Sequence, residues 1–411
     1  MSDLPNRKKL IWIAPYLPYR EVAHAGGKNF YYYFNSLVNA ELFDICLITF
    51  YSSNELDHFD FGDKIECKLF SDAQTGIKRF FRRLLNAGRK FNPFDKYARF
   101  VSKYSEVNIL KALKQYKRTG RKPDIIVLHW TQIVLLADRV KKVFPHAKIV
   151  SIEEDVTLLS FKRQIELEQS KSEKKRAIRR FHYMEKGEID SLNLSDLVIV
   201  NNPKDLDLLL QYKVPREKMR QWSVYFENYS AAVPVQKATD VLFYGAMNRK
   251  ENYLSAQWLL EKVRPLVKDA GLKFVIVGGN PHPSILKYNG GDVAVTGFVK
   301  DVTPYFENSL CLAAPLVLGA GIKVKILEAF SAGLPVLTNE IGIEGIPAKR
   351  GEDFFFCKSA EEYAAAILTL AKDSALRIRM GERTKTLIAE NFNCERDAEQ
   401  FRNWLLNLFD V

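Results

Sequence analysis

Two glycines, two lysines and a glutamate fall within ten positions, from Gly319 to Glu328, and together they could hold a phosphorylated ligand. The first-turn N–H groups of a helix have no partners inside it, and the positive end of its dipole lies behind them. Gly319 and Gly321 would let that backbone come close to an anion, which a side chain would prevent. Lys323 and Lys325 add two full charges within one turn, and Glu328, a turn further on, has two oxygens able to accept both hydroxyls of a ribose. Diphosphate at the tip with ribose beside it outlines a nucleotide-sugar site. The same residues also fit a buried helix start with glycines for packing and a Lys325–Glu328 surface pair at i,i+3. Short glycine motifs recur by chance, so spacing alone leaves both readings open.

The elements that would position this group run over 311–338, CLAAPLVLGAGIKVKILEAFSAGLPVLT. Leu316, Val317 and Leu318 read as a buried strand end. Val324, Leu327 and Phe330, widened by Ile326, recur at helical spacing. Gly333 stands where a left-handed cap is expected, and Pro335 opens the next strand. Elsewhere, apolar runs end in polar residues, and ligands of open parallel sheets bind at strand carboxyl ends. PDIIVLHWTQ leads to His129 and Trp130, and KIVSIEEDV to Glu153, Glu154 and Asp155. A lone histidine after a strand serves equally as a structural hydrogen-bonder. Asp155 is the candidate for acceptor contact, and the other two acids are expected in solvent. Strand 8–14 precedes Gly26-Gly27 and the helical run KNFYYYFNSLVNA, and strand DVLFYGAM (240–247) precedes Asn248, Arg249 and Lys250. Further strands are expected over 44–52, at SDLVIVNN and at FVIVGG, with 55–75 irregular, helix over most of 77–118 and a long charged helix over 161–190. Asp205-Leu206-Asp207 spells a D-x-D metal motif but falls in a helix's first turn, where acids complement the dipole. No bound metal is expected.

The run G-x-G-I-K-x-K-x-L-E-A-x-x-x-G-x-P-V resembles the donor-binding signature of GT-B glycosyltransferases, particularly the retaining family 4. LFYGAMNRKEN (242–252), FVIVGGNP (274–281), VTGFVKDVTPYF (295–306) and IGIEGI (341–346) follow in that family's order. The resemblance is specific over about 240–392 and looser before 230. It implies an α/β, GT-B fold: two doubly wound Rossmann-like domains facing each other across a cleft. It implies a sugar transfer from a nucleotide-diphosphate-sugar (UDP- or GDP-linked), with retention of configuration and no cofactor. By that resemblance the donor is held by Gly26, Gly27, Asn248, Arg249, Lys250, Gly321, Ile322, Lys323, Val324, Lys325 and Glu328. Phe298 would lie beside the base and the Val299 backbone would read its edge. His129 would contact the transferred sugar or acceptor, acting in catalysis with Lys323 and Glu328. Two departures stand out. Ala246 occupies a frequent arginine position, so Arg249 or Lys250 must substitute. Ala320 occupies the place of a second glutamate, for which Glu344 is the candidate replacement.

At 411 residues the chain is long for one core, so two domains are expected: 1–230 on the acceptor side and 240–392 for the nucleotide sugar. The small, polar stretch 228–239 would link them, and a last helix, 393–411, would brace the first domain. Five scattered cysteines without a C-x-x-C speak for a reducing compartment. No stretch reads as a signal or membrane span, which points to a cytoplasmic protein. The net charge of +12 lies wholly in residues 1–235, and 77–122 alone holds 15 basic and 2 acidic residues among aromatics. That segment suits a solvated helical face, an anionic membrane surface or an acidic substrate. It carries no nucleic-acid-binding motif. A glycan or lipid-linked acceptor in bacterial surface polysaccharide assembly follows from these features together. A catalytically silent nucleotide-sugar or partner binder, and an epimerase or phosphorylase on the same fold, are the alternatives.

Overall fold

The computed structural model describes residues 7–409 except 23, 53, 73–85, 87–100, 155, 157, 159–160, 163–164, 167–169, 236 and 320. It divides into two compact units, one of residues 1–225 with 394–411 and the other of 226–393.

The first unit is built on seven parallel strands, β1 (Lys8–Ile13), β2 (Phe43–Tyr51), β3 (Glu66–Ser71), β4 (Ile125–His129), β5 (Lys148–Glu153), β6 (Leu197–Val200) and β7 (Met219–Gln221), in the order β3-β2-β1-β4-β5-β6-β7. Side chains alternate across a strand, and here both faces are covered, so the central strands read as unbroken apolar runs. Ile11, Ile13, Ile126 and Leu128 pack on one side with Ile109 and Leu113, and with Phe181 and Met184. The first pair comes from α2 (Lys103–Arg118) and the second from α3 (Lys171–Asn193). Leu10, Trp12, Val127 and Ile152 face the opposite side, against Phe30, Phe34 and Leu37 of α1 (Ala25–Asn39) and Phe401 and Leu405 of α9 (Cys394–Leu406). The carboxyl-terminal helix is further tied into this unit by Asp397, whose carboxylate accepts from the Ser223 N–H at 2.7 Å, and by Arg402, which donates to Ser36 Oγ.

Three strands differ from the sequence reading. Residues 55–75 are not irregular throughout, because β3 pairs with β2 along six positions, Glu66 to Ser71. β7 and, in the second unit, β13 (Phe355–Phe356) were likewise not expected. All three are sheet edges, where one flank is uncovered and the apolar run that marks a central strand is missing. The charged stretch is helical at Phe161, Lys162, Ile165 and Glu166 but is interrupted at Ser170, whose hydroxyl accepts from the Glu173 N–H and caps the helix that begins at Lys171. Of the basic segment, the stretches 77–85 and 87–100 lie outside the described residues.

The second unit carries β8 (Asp240–Tyr244), β9 (Lys273–Val277), β10 (Val293–Gly297), β11 (Ser309–Ala314), β12 (Val336–Thr338) and β13, all parallel, in the order β10-β9-β8-β11-β12-β13. Renumbered within the unit this is 3-2-1-4-5-6, the doubly wound dinucleotide-type order, which reverses between β8 and β11. Residues 228–239 are attached to this unit rather than free: Tyr229 N donates to Ser331 Oγ and Val235 N to Glu307 O, each at 2.9 Å. Helix α5 (Lys250–Trp258) follows β8 and continues through a π turn, Leu259–Val263, into a 3-10 turn, Arg264–Ala270. Pro265 has no N–H to give the preceding turn, which accounts for the change of hydrogen-bond register there. α6 (Val324–Ser331) follows β11 and buries Ile326, Leu327, Ala329 and Phe330. Each large apolar side chain there contributes about 1.5–3 kcal/mol. Gly333 then adopts φ 73° and turns the chain into β12. Helices α7 (Ala360–Lys372) and α8 (Ser374–Asn391) complete the unit.

The carboxyl ends of β8 and β9 approach so closely that they admit no side chain. A Cβ on Gly278 would sit 1.8 Å from the carbonyl oxygen of Gly245. Backbone on both sides leaves nothing flexible to give way. Gly278→Ala is expected to destabilise the second unit by about 2–4 kcal/mol, overpacking and strain combined. A chemical-denaturation midpoint equal to that of the parent chain would refute this account.

Candidate functional site

In the second unit the strand order reverses between β8 and β11, and the loops leaving those two strands carry the charged candidates. The Lys325 side chain turns back from α6 across the end of β8. Its Nζ donates to Asn252 Oδ1 at 2.7 Å and lies 4.7 Å above the Phe243 ring. Gly245 makes the space, since a Cβ there would stand 2.9 Å from that ammonium. The residue as a whole is half-buried, and its ammonium sits among Asn252, the Phe243 ring and Gly245. Burial draws its pKa down to about 7, with Arg249 and Lys323 lowering it further and Glu251 and Glu328 opposing. An anion arriving at this ammonium would relieve that penalty.

Lys323 is the residue before the first turn of α6, and its Nζ donates to Gly321 O and stands 3.9 Å from Glu344 Oε2. The first backbone bonds of α6 run from Ile326 and Leu327 to Lys323 O, which leaves the Val324 and Lys325 amides at its open end. Gly319 and Gly321 hold φ of 137° and 71°, a path that side chains disfavour. Ile322 and Val324 are half-buried beside them, and Ala320 lies outside the described residues. Glu328 is buried on the next turn, where it accepts from the Tyr244 hydroxyl. Thus Lys323, Lys325, Glu328 and Glu344 do gather at one strand-end, whereas the i,i+3 surface pair is absent: Lys325 turns to Asn252 and Glu328 to Tyr244. Asn248, Arg249 and Lys250 are exposed around the mouth, with Arg249 paired to Glu251 at 2.5 Å. Phe298 is 82% exposed at the end of β10, beside Gly279, and Val299 is half-buried. Gly245, Asn252 and Tyr244 were not singled out from the sequence. A glycine directly after an apolar strand was the available signal for the first.

In the first unit the strand order reverses between β1 and β4, and the strand-end there is a closed polar cluster. Glu154 is its hub. Its carboxylate accepts from Asn29 Nδ2 at 3.0 and 3.2 Å, from Asn201 Nδ2 at 2.9 Å, and contacts His129 Nε2 at 2.7 Å. The two amides cannot be turned round, because Asn29 Oδ1 accepts from Tyr225 N and Asn201 Oδ1 from Trp222 Nε1. Its oxygens already accept from the two amides, and His129 Nε2 completes the set as a further donor. Burial pushes the His129 pKa down, against the pull of Glu154, and the ring is neutral with its lone pair on Nδ1. Among the described residues that Nδ1 has no hydrogen-bond partner, and it is fully buried. The expectation that Glu153 and Glu154 are solvated fails: Glu153 is fully buried with Thr131 donating to it, and the Glu154 side chain is 9% exposed. Each found donors on neighbouring strands and helices that lie far away in sequence. Asp155 lies outside the described residues.

His129 itself has no surface, since Trp130 stacks on it at 4.0 Å and 24°. Trp130 is held at φ 72°, ψ 145°, a conformation almost confined to glycine that costs about 1–3 kcal/mol. Gly26 and Gly27 do not precede the helix as expected but form its first turn, because His24 caps it by accepting from Gly27 N at 2.9 Å. A Cβ on Gly27 would meet Val22 at 2.5 Å, and one on Gly26 would stand 3.4 Å from the Trp130 indole and 3.5 Å from Glu154. Asp205 and Asp207 are in helix α4 (Pro203–Gln211), with Asp205 in its first turn. Among the described residues no group of three or more His, Cys, Asp or Glu is arranged to hold a metal ion.

Residues 238–373 match the family model described as Glycosyl transferases group 1. The chain is similar in fold to sucrose-phosphate synthase from Thermosynechococcus elongatus, with a TM-score of 0.70 at 15% identity over 98% of this chain and all of that one. It is also similar to HepE from Anabaena in complex with UDP, at a TM-score of 0.63 and 12% identity over 97% and 100% of the two chains. An uncharacterised 44.6 kDa protein in the cps region of Klebsiella pneumoniae is 23% identical over 168 residues. That match spans 38% of this chain and 43% of the relative's length. The fold is thus GT-B, α/β with two parallel sheets, and residues 238–373 form a glycosyltransferase domain.

The lowered pKa of Lys325 has a measurable sign. Between pH 7 and its ordinary value of 10.5 the unfolded chain holds a proton that the folded chain has released. Stability attributable to this residue therefore rises with pH across that window and is lowest below it. The thermal midpoint of the parent chain should climb relative to Lys325→Met from pH 7 to about pH 10, the window that linkage defines. A pH-independent difference between the two would refute the buried-ammonium reading.

Proposed function

We propose that the chain transfers a sugar from a nucleoside-diphosphate sugar to a glycan or lipid-linked acceptor, with retention and without a metal. The observation that carries this reading is the pairing of two lysines with the open end of α6, one turn ahead of a buried glutamate. As the sugar leaves, negative charge grows on the departing diphosphate. In this reading the Val324 and Lys325 amides, Lys323 and Lys325 would meet that charge as groups fixed in advance, the arrangement on which electrostatic catalysis relies. Glu328 would take the ribose hydroxyls, exchanging the Tyr244 hydroxyl for them or sharing it. Arg249, Lys250 and Asn248 would close on the phosphates from the loop after β8, and Phe298 would meet the base. Glu344, buried beside Lys323, would supply the carboxylate that Ala320 lacks. Gly26 and Gly27 would close over the donor diphosphate and Asp155 would contact the acceptor, whereas His129, which has no exposed surface, would act only through the Trp130 and Glu154 that cover it.

UDP is the first nucleotide to test, since HepE was solved in complex with UDP. A role in surface polysaccharide assembly draws support from the relative in a cps region. Among the described residues no helix is long and apolar enough to cross a membrane. We assign the chain to the cytoplasm, with residues 77–122 bringing it to an anionic lipid surface. The replacement of the usual glutamate by Ala320 also favours a second reading, a nucleotide-sugar binder without turnover.

Calorimetry against UDP, GDP and their common sugar conjugates tests the donor role. Glu328→Ala should weaken binding by about 1–3 kcal/mol, the loss of hydrogen bonds to a buried acceptor. Unaltered affinity would remove Glu328 from the ribose. Transfer or slow release of free sugar should persist in excess chelator; binding without either over a broad acceptor panel would favour the silent reading. The chain should sediment with vesicles rich in phosphatidylglycerol and not with phosphatidylcholine alone, and lose this when Arg79, Arg82, Arg83, Arg89 and Lys90 are reversed in charge. Indifference to both vesicle types would exclude the membrane role.

A further inference from the structure

We propose that Trp130 is a ligand-binding residue of the first unit, its indole receiving the apolar face of a sugar ring. The proposal rests on the glycosyl-transfer reading and adds a residue to it. Trp130 follows β4 directly, at the point where the strand order of this sheet reverses, the usual place for a ligand in an open parallel sheet. Its backbone adopts φ 72°, ψ 145°, and is pinned there by Trp130 N donating to Ile152 O at 2.9 Å and by Trp130 O accepting from Ile133 and Val134. A side chain needed only to cover His129 gains nothing from that conformation. Glycine would adopt it freely, and the bulkiest side chain of all stands there instead.

The indole is placed as a recognition surface. One face rests on the His129 ring, with Phe30 and Tyr16 set edge-on at 5.6 and 5.2 Å, and the residue remains half-buried. Among the described residues no group accepts from the indole N–H, so that donor is available to a ligand. Gly26 borders both the indole and the Glu154 carboxylate, and having no side chain it leaves the approach between them clear. Tyr16, 42% exposed, offers a second aromatic edge. Beneath lies the unpartnered, fully buried Nδ1 of His129. A pyranose presents polarised C–H groups on a face and hydroxyls at its rim. The C–H face suits the electron-rich indole, and a rim hydroxyl suits its N–H. The Glu154 oxygens beside it, already taken by their donors, suit neither a phosphate nor a peptide carboxylate.

Saturation-transfer NMR on the full chain tests this with methyl α-D-glucopyranoside, methyl β-D-galactopyranoside and methyl N-acetyl-β-D-glucosaminide as probes. The parent chain should transfer saturation to ring protons of at least one of them. Trp130→Gly should reduce that signal at least fivefold while its thermal midpoint stays equal to the parent's or rises, because the strain is gone. Trp130→Phe should retain half the signal or more. UDP affinity, measured on the same samples, reads the second unit and should be unchanged. A signal that survives Trp130→Gly, or its absence with all three glycosides in the parent chain, would overturn the proposal. So would a midpoint that falls with the signal in both variants, which would make Trp130 a packing residue. Loss of UDP binding with the glycoside signal intact would count against the donor reading and leave this one standing.

Discussion

A single ammonium decides how the second unit is arranged around its strand-ends. Lys325 can lie across β8 only because Gly245 has no side chain, and it stays there because Asn252 and the Phe243 ring take its charge. Gly278 must also be bare, since its backbone packs against Gly245 itself. A buried cation without a carboxylate directly on it is an unfavourable resting state. The strain is tolerable if the site spends its working life beside an anion, and the open end of α6 faces the same region. The chemistry of a nucleoside diphosphate fits this arrangement better than that of a neutral ligand.

The first unit solves the opposite problem, that of keeping a carboxylate in the interior. Glu154 is hydrogen-bonded by three side chains drawn from α1, β4 and the residue after β6, the two asparagines being oriented in turn by other groups. Fixing Asn29 through Tyr225 and Asn201 through Trp222 links the hub to the aromatic layer, where Trp222 stacks on Tyr33 at 3.8 Å. Networks of this kind rigidify when complete, and the pieces left open in them are the ones available to a ligand. Here the piece at the surface is the half-buried indole of Trp130, while the Nδ1 of His129 lies buried beneath it.

The two strand-ends therefore differ in charge. One gathers two lysines and the open amides of α6 beside the buried Glu328 and Glu344, while the other gathers a hydrogen-bonded carboxylate, a buried imidazole and aromatic faces. Under the proposed reading, the charged diphosphate of the donor would go to the first of these ends and a largely neutral sugar to the second.

By itself the sequence determined the central architecture. Unbroken apolar strands such as KKLIWI and FVIV, each followed by polar or glycine residues, specify parallel buried strands with functional ends, and the G-x-G-I-K-x-K run marks one of those ends. Gly333 and Pro335 were legible for the same reason, since backbone geometry at these residue types is nearly independent of context. What the sequence did not contain were effects that depend on a neighbour far along the chain. The edge strands β3, β7 and β13 exist because a partner strand templates them. Glu154 looks like one acid among three until Asn29 and Asn201, 125 and 47 positions away, are brought to it. Lys325 and Glu328 are spaced to pair with each other, yet burial sends one to Asn252 and the other to Tyr244. Local periodicity is written in the order of residues, whereas desolvation and long-range hydrogen bonding arise only when the chain has closed on itself.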